Sequence, residues 1–351
     1  MSHDRASIGW DIGGAHLKVA YFDNAGRLRD VVEKATPIWQ GIQTLHQAID
    51  ELERQMPLAV CDHYVTMTAE LVDLFDDRVQ GVTMLAHELQ SRLAGNTMRV
   101  FAGRKGFVDA NRSADYHHDI ASANWYATAQ FVAACEPDAL LLDIGSTTTD
   151  MVLCRDGAVD CRGYSDRERL AAGELVYTGV VRTPLMAVID EVPLGGDWQA
   201  VANEHFATLA DVYRIVGELP QHADLHPTAD GRDKGCAASM RRLARMLGCD
   251  LDDETPQGWS AAAAYIAERH AESLLKAIRR QLSRHDDAAL PIIGAGVGQF
   301  LVEKLAMQID RRYIPIQSLP GLDSPDANIA VCAPAVAVGK LGMMERLACA
   351  C

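Results

Sequence analysis

At 351 residues the chain exceeds the size at which a single hydrophobic core stops growing, so two domains are expected. Its 48% hydrophobic and 23% charged residues describe a globular protein, not a disordered one. A net charge of −15 argues against a nucleic-acid surface, which needs Lys and Arg to neutralise phosphates, and no apolar run nears the roughly 18 residues of a membrane span. Met1 to Arg5 is short, polar and leads directly into a strand-like run, so no cleaved leader is expected and the location expected is cytoplasmic. The nine cysteines show no CxxC pair and no regular spacing, and several lie in apolar runs. Buried reduced thiols account for them better than disulfides or a zinc site. Cys349 and Cys351 could react or trap a metal, but a frayed tail is the simpler reading.

The pattern opens with a strand over Ser7 to Asp11, a turn at Ile12-Gly13-Gly14 and a returning strand from Leu17 to Phe22. Ile38, Ile42, Leu45, Ile49 and Leu52 give helical spacing over 38–56, ending before Pro57. A strand at His63 to Met67 leads into a charged stretch over 70–80. A helix follows over 82–94, then a strand from Met98 to Phe101 and a connecting helix from Asn124 to Cys135. The opening pattern then returns. Asp138 to Asp143 is an apolar strand closed by an acid, Ile144-Gly145-Ser146 is its turn, and Thr149 to Cys154 runs back. Residues 197–285 carry few strand signals and include a long helix from Trp259 to Arg284. Leu290 to Ile293 is a strand entering Gly294-Ala295-Gly296-Val297-Gly298, with a helix from Gln299 and a last helix over 329–341 that contains Pro334.

The repeated unit has a chemical logic. An acid at a strand end is held rigidly, the following glycines let backbone approach a ligand, and successive N–H groups form an anion-binding nest. An acid beside a phosphate nest repels phosphate unless a cation intervenes, which points to Mg²⁺ held by one or two carboxylates and phosphate oxygens. Asp11 and Asp143 are therefore the candidate metal-orienting acids. Gly13, Gly14, Gly145, Ser146, Thr147 and Thr148 would line the phosphates, with Lys18 neutralising charge. Taken singly, either turn reads equally well as an ordinary β-turn. The pair, joined by the glycine turn at Gly294, Gly296 and Gly298, favours the phosphate reading.

The segments DIGGAHLKVAYFD, LLLDIGSTTTDMVL and PIIGAGVGQFLVEKLA resemble the two phosphate loops and the nucleotide-side glycine turn of the sugar kinase/Hsp70/actin superfamily, most closely its hydantoinase A/oxoprolinase branch. VTMTAELVDLFDDRVQGV (65–82), SANWYATA (122–129), ELVYTGVVRTP (174–184) and DGRDKG (230–235) resemble a subfamily linked to tetrahydromethanopterin-dependent one-carbon metabolism. The resemblance implies an α/β fold of two duplicated actin/ribonuclease H-like lobes with a ligand cleft between them. The lobes would be 1–123 and 124–327, with 328–351 a hinge helix and tail. It also implies a Mg²⁺-dependent transferase of methanofuran or methylofuran biosynthesis, joining γ-glutamyltyramine to an aminomethylfuran methyl diphosphate and releasing pyrophosphate.

In that chemistry the leaving diphosphate must be neutralised and the incoming phenol deprotonated. Glu70, Asp73 and Glu174 are the candidate proton acceptors. Arg182 is suited to a substrate carboxylate, and Tyr177 is a further substrate-side residue. A structural ion pair or a solvated face is an equal alternative for Glu70, Asp73, Glu174 and Arg182. Kinases of the superfamily usually place a hydroxyl residue soon after the first turn, where this chain has Gly14-Ala15-His16. ATP therefore stays a candidate ligand only. The alternatives are an ATP-dependent kinase or amide hydrolase and a non-catalytic nucleotide-binding protein. Small molecules are the expected partners, with room for a homodimer. His117-His118 beside Asp115 and Asp119 form a weak metal candidate, since adjacent side chains diverge. GAGVG has Gln299 where a dinucleotide fingerprint has its last glycine, and the acidic run at Asp250, Asp252, Asp253 and Glu254 reads as a solvated loop.

Overall fold

The computed structural model describes residues 5–93, 95–221, 223–285, 289–322, 326 and 328–348. Cys349 and Cys351 lie outside the described residues, as does the leader expectation at residues 1–4. In chain order the elements are β1 (Ser7–Ile12), β2 (His16–Phe22), β3 (Leu28–Ala35), α1 (Gln43–Glu53), β4 (Asp62–Met67), α2 (Arg78–Arg92), β5 (Met98–Phe101), β6 (Phe107–Asp109), α3 (His117–Ile120) and α4 (Asn124–Cys135). There follow β7 (Ala139–Ile144), β8 (Thr149–Arg155), β9 (Ala158–Asp160), α5 (Asp166–Ala172), β10 (Leu175–Val176), the hairpin β11 (Glu191–Leu194) and β12 (Asp197–Ala200), α6 (Leu209–Ile215) and α7 (Cys236–Met246). The chain closes with α8 (Pro256–Leu282), β13 (Ile292–Ala295), α9 (Gln299–Gln308), β14 (Tyr313–Pro315), α10 (Asn328–Val331) and α11 (Ala333–Ala348).

Two compact units result. One comprises Met1–Ala139, Leu153–Asp160 and Pro315–Cys351, and the other Leu140–Val152 and Cys161–Ile314. Helix α4 belongs to the first. In that unit a six-stranded sheet runs β3-β2-β1-β4-β5-β6, with β1 antiparallel to β2 and parallel to β4. Strand β1 is buried along its whole length. Side chains alternate across a strand, so Ile8, Trp10 and Ile12 enter one core, with Leu45, Ile49 and Leu52 of α1 and Val82, Leu85 and Leu89 of α2. The opposite face, carrying Gly9 and Asp11, receives α11.

The second unit repeats the plan. Its sheet runs β10-β8-β7-β13-β14, and β7 pairs parallel with β13 as β1 does with β4. Equivalent bonds close the equivalent corners. Thr68 N–H donates to Ile12 C=O at 2.9 Å, and Gly298 N–H donates to Ile144 C=O at 2.8 Å.

Several expected boundaries move. The helix expected over 38–56 begins only at Gln43, because Gly41 at φ 130° separates it from a short 3-10 turn at Ile38–Gln40. Helix α2 starts at Arg78, earlier than the expected 82, since Asp77 caps it by accepting Gln80 N–H at 2.8 Å. Helix α8 starts at Pro256 behind the Thr255 cap. The last helix extends to Ala348, and the chain turns at Cys332 just before Pro334, whose ring nitrogen cannot continue a helical ladder. The hairpin β11–β12 and the edge strands β3, β6, β9 and β10 are additional.

Candidate active site

The first turn closes on a bond from Gly13 N–H to His16 C=O at 2.9 Å, and the second on the matching bond from Gly145 N–H to Thr148 C=O at 2.8 Å. The repeat therefore extends to turn geometry. In both halves the acid precedes the turn glycine by two residues, Asp11 in β1 and Asp143 in β7.

Strand register sets out a polar row on one face of the first sheet. Glu33 stands opposite Lys18, Lys18 opposite Asp11, and Asp11 opposite Thr66. Asp11 is only 3% exposed, and burial pushes its carboxyl up to about 6. Lys18 opposes that rise and Glu33 adds to it. Burial also raises Glu33, again against Lys18, whose Nζ lies 3.9 Å from Glu33 Oε1. Asn124, first residue of α4, hydrogen-bonds the Asp11 carboxylate. Its Oδ1 accepts Trp125 N–H at 2.8 Å, which leaves its amide nitrogen to serve Asp11. Among the described residues, Asp11 Oδ1 and Thr66 Oγ1 are buried without a hydrogen-bond partner.

Glu70 follows β4 in the short 3-10 turn Ala69–Leu71. It is 1% exposed, and Oε1 accepts the Ser122 hydroxyl at 2.8 Å. Ser122 sits at φ 53°, a left-handed conformation uncommon outside glycine. Residues 122–124 thus tether two buried carboxylates, Glu70 through Ser122 and Asp11 through Asn124. Asp73 is exposed on the loop beyond.

In the second unit, residues 177–183 form a strap over the turn. Val180 N–H donates to Gly145 C=O at 3.1 Å, and Val181 and Arg182 N–H donate to Ser146 C=O at 3.2 and 2.8 Å. Gly179 lies flush on the turn, where a Cβ would come within 2.4 Å of Gly145 O. Tyr177 and Arg182 are exposed on this strap, and the Ser146 and Thr147 hydroxyls lie 3.4 Å apart below it. The glycine turn packs on the end of β7. Gly294 pairs with Leu142 and accepts Gln299 Nε2–H at 2.7 Å, and Gly296, at φ 82°, leaves no room for a Cβ beside Asp143 Oδ1. Glu174 lies elsewhere in this unit and is structural in its contacts. Its two oxygens accept Arg162 N–H at 2.7 Å, Gly163 N–H at 3.0 Å and the Arg284 guanidinium at 2.7 Å.

No group of three or more His, Cys, Asp or Glu among the described residues could hold a metal, so the His117-His118 candidate gains no support. One carboxylate with an unsatisfied oxygen, next to a hydroxyl and a glycine turn, does fit Mg²⁺, an ion commonly held by one or two carboxylates with water filling the rest of its shell. A cavity of about 570 Å³ runs along α6, α8 and α9 and contains none of the anticipated site residues. Among the described residues no helix is long and apolar enough to cross a membrane. Thr66, Ser122 and Asn124 were not singled out by sequence, although each lies inside a segment that the resemblance used.

The two sheets and their acid-tipped turns define a duplicated α/β protein of two units. Component A of (R)-2-hydroxyglutaryl-CoA dehydratase from Acidaminococcus fermentans shares the fold, with a TM-score of 0.51 at 12% identity over 98% of this chain and 99% of that one. The hydantoinase/oxoprolinase family model matches residues 63–329, and the chain belongs to that family. Two relatives bear the name (4-{4-[2-(gamma-L-glutamylamino)ethyl]phenoxymethyl}furan-2-yl)methanamine synthase. The one from Methanocaldococcus jannaschii is 28% identical over 246 residues, 70% of this chain and 72% of its own length. The one from Methanococcus vannielii is 30% identical over 125 residues, 35% of this chain and 56% of its own.

Proposed function

We propose that this protein is a transferase of methanofuran-type cofactor biosynthesis that joins γ-glutamyltyramine to an aminomethylfuran methyl diphosphate and releases pyrophosphate. The relatives' names support the pathway. The observation that carries the chemistry is the tether at residues 122–124, which holds Asp11 through Asn124 and Glu70 through Ser122. In the reaction the bond between the furylmethyl carbon and the diphosphate oxygen breaks, and the phenol oxygen bonds to that carbon. The phenolic proton leaves to a carboxylate, and the departing oxygen carries its electron pair away as pyrophosphate.

Glu70 is the proton acceptor on this reading, because Ser122 fixes its orientation while Asp73 is solvated and Glu174 is occupied by three N–H donors. Within each unit the glycine turn, at Gly13-Gly14 or at Gly145 to Thr148, would offer backbone N–H groups to a phosphate, and Lys18 would add positive charge in the first unit. In each unit the acid before the turn, Asp11 or Asp143, would hold Mg²⁺, which supplies Lewis-acid stabilisation of the leaving group when bound. Arg182 takes the glutamyl carboxylate.

The test is direct. Purified protein given Mg²⁺, the furan diphosphate and γ-glutamyltyramine should release pyrophosphate with no ATP present. Product formation only when ATP is added would replace this reading with an ATP-dependent one. Nucleotide binding without any product would replace it with a non-catalytic one.

A further inference from the structure

The second unit contains a buried imidazole–hydroxyl chain that the reaction above does not use. His270, on α8, has no exposed surface. Its Nδ1 lies 2.7 Å from the Tyr213 hydroxyl of α6, and its Nε2 lies 3.0 Å from Thr178 Oγ1. Thr178 donates onward to Thr183 Oγ1 at 3.4 Å. The Thr183 hydroxyl donates to Gly179 C=O and receives Gly179 N–H, both at 2.9 Å. Thr149, at the start of β8, donates its hydroxyl to Thr178 C=O at 2.7 Å.

Proton counting gives this chain one direction. Each hydroxyl, and the neutral imidazole, has a single hydrogen to donate. Thr183 gives its hydrogen to Gly179, and Thr178 gives its hydrogen to Thr183. His270 must then donate from Nε2 and accept the Tyr213 hydroxyl hydrogen at Nδ1. Burial holds His270 down at about 4, so the ring stays neutral near pH 7 and the direction does not reverse. Every member is satisfied, which makes the chain a rigid link rather than a store of strain.

What the link holds is the strap. Its inner residues Gly179 to Thr183 are buried, apart from Arg182, and they bond directly to Gly145 and Ser146 of the second turn. Tyr177, at 70% exposure, and Arg182 are its solvent-facing side chains.

We infer that His270 is a positioning residue that acts through Thr178 and Thr183 to clamp the strap onto the second turn, and so sets the affinity of that turn for a diphosphate. The inference rests on the assignment of the turn to diphosphate binding. It also explains why TGVVRT carries a hydroxyl at each end. One accepts the His270 hydrogen bond, and the other holds Gly179 by both its N–H and its C=O where it lies flat on the turn.

Inorganic pyrophosphate is the probe, measured by calorimetry in Mg²⁺ buffer on the full chain, with a thermal melt of each variant. Thr183→Val and Thr178→Val should each weaken binding by about tenfold, the loss expected of one positioning hydrogen bond. Thr183→Ser and Thr178→Ser keep the hydroxyl and should bind within about twofold of the unmodified protein. Thr178 is only half-buried, so Thr178→Val carries the test if Thr183→Val does not fold. Unchanged pyrophosphate affinity in a folded Val variant overturns the inference, whatever happens to its melting temperature. An unmodified protein that binds no pyrophosphate overturns the assignment of the turn itself.

Discussion

Asp11 stands next to last in a wholly buried strand with one carboxylate oxygen lacking a partner, and its carboxyl is raised from the ordinary 3.8 to about 6. Between those values the native state binds more protons than the unfolded chain, so this group makes stability fall as pH rises. Above pH 6 the buried charge remains as a cost of roughly 3 kcal/mol, as long as no cation offsets it. In chelator-treated protein, Asp11→Asn should therefore be the more stable form at pH 7.5, with the advantage vanishing near pH 3.5. Its turnover should fall by at least about a hundredfold. Urea unfolding at the two pH values checks the sign. A variant less stable than its parent at both would mean that the carboxylate is held by favourable contacts. Asp11 and its turn were legible because acid, glycines and strand are consecutive in the chain. Asn124 and Ser122 were not, because their role depends on where α4 begins in space, and no local pattern encodes that.

Helix α11 illustrates what sequence periodicity conveys about an element and what it omits. The Ala/Val-rich run marks a buried helix, but nothing local says which strand it covers. Gly9 supplies that information only in three dimensions. A Cβ there would lie 1.9 Å from Ala335 O and 2.8 Å from Gly339 N, so helix and strand touch backbone to backbone. Gly339 and Gly342 play the reciprocal part against Phe22 and Tyr64. Gly9→Ala should consequently destabilise the first unit by about 3 kcal/mol, as overpacking against unyielding backbone does. A loss below about 1 kcal/mol in denaturant titration would show that the helix can slide away. Element boundaries were misjudged wherever a cap or breaker outranked apolar spacing, as at Gly41, Asp77 and Thr255. The edge strand β3, LRDVVEKA, escaped notice because its exposed and half-buried positions dilute the alternation that marks a strand.

The duplication was the most legible feature of the whole molecule, since two copies of one hairpin need no structural context to be recognised. Among the described residues each unit also buries one neutral histidine, which the sequence did not distinguish from a surface one. In the first, Trp10 Nε1–H donates to His63 Nδ1 at 3.1 Å, so His63 Nε2–H serves Leu58 C=O at 3.1 Å. In the second, His270 heads the hydroxyl chain. Burial lowers both to about 4 from the ordinary 6.5. Within that interval the unfolded chain binds the proton that the native state refuses, so each histidine contributes stability above pH 6.5 that drains away as pH falls towards 4. Buried Asp11 and half-buried Glu33 and Asp150 in the same units are raised and act with the opposite sign, which flattens the overall profile. The histidine effect is therefore best read as a difference between variants. His63→Gln and His270→Gln should each lose stability at pH 7, and that loss should shrink by roughly 2 kcal/mol at pH 4.5, where the parent protein has forfeited its advantage. Separate unfolding transitions, if the units melt apart, would assign each shift to its own unit. A pH-independent difference for either variant would mean that its histidine is accessible to protons in the native fold.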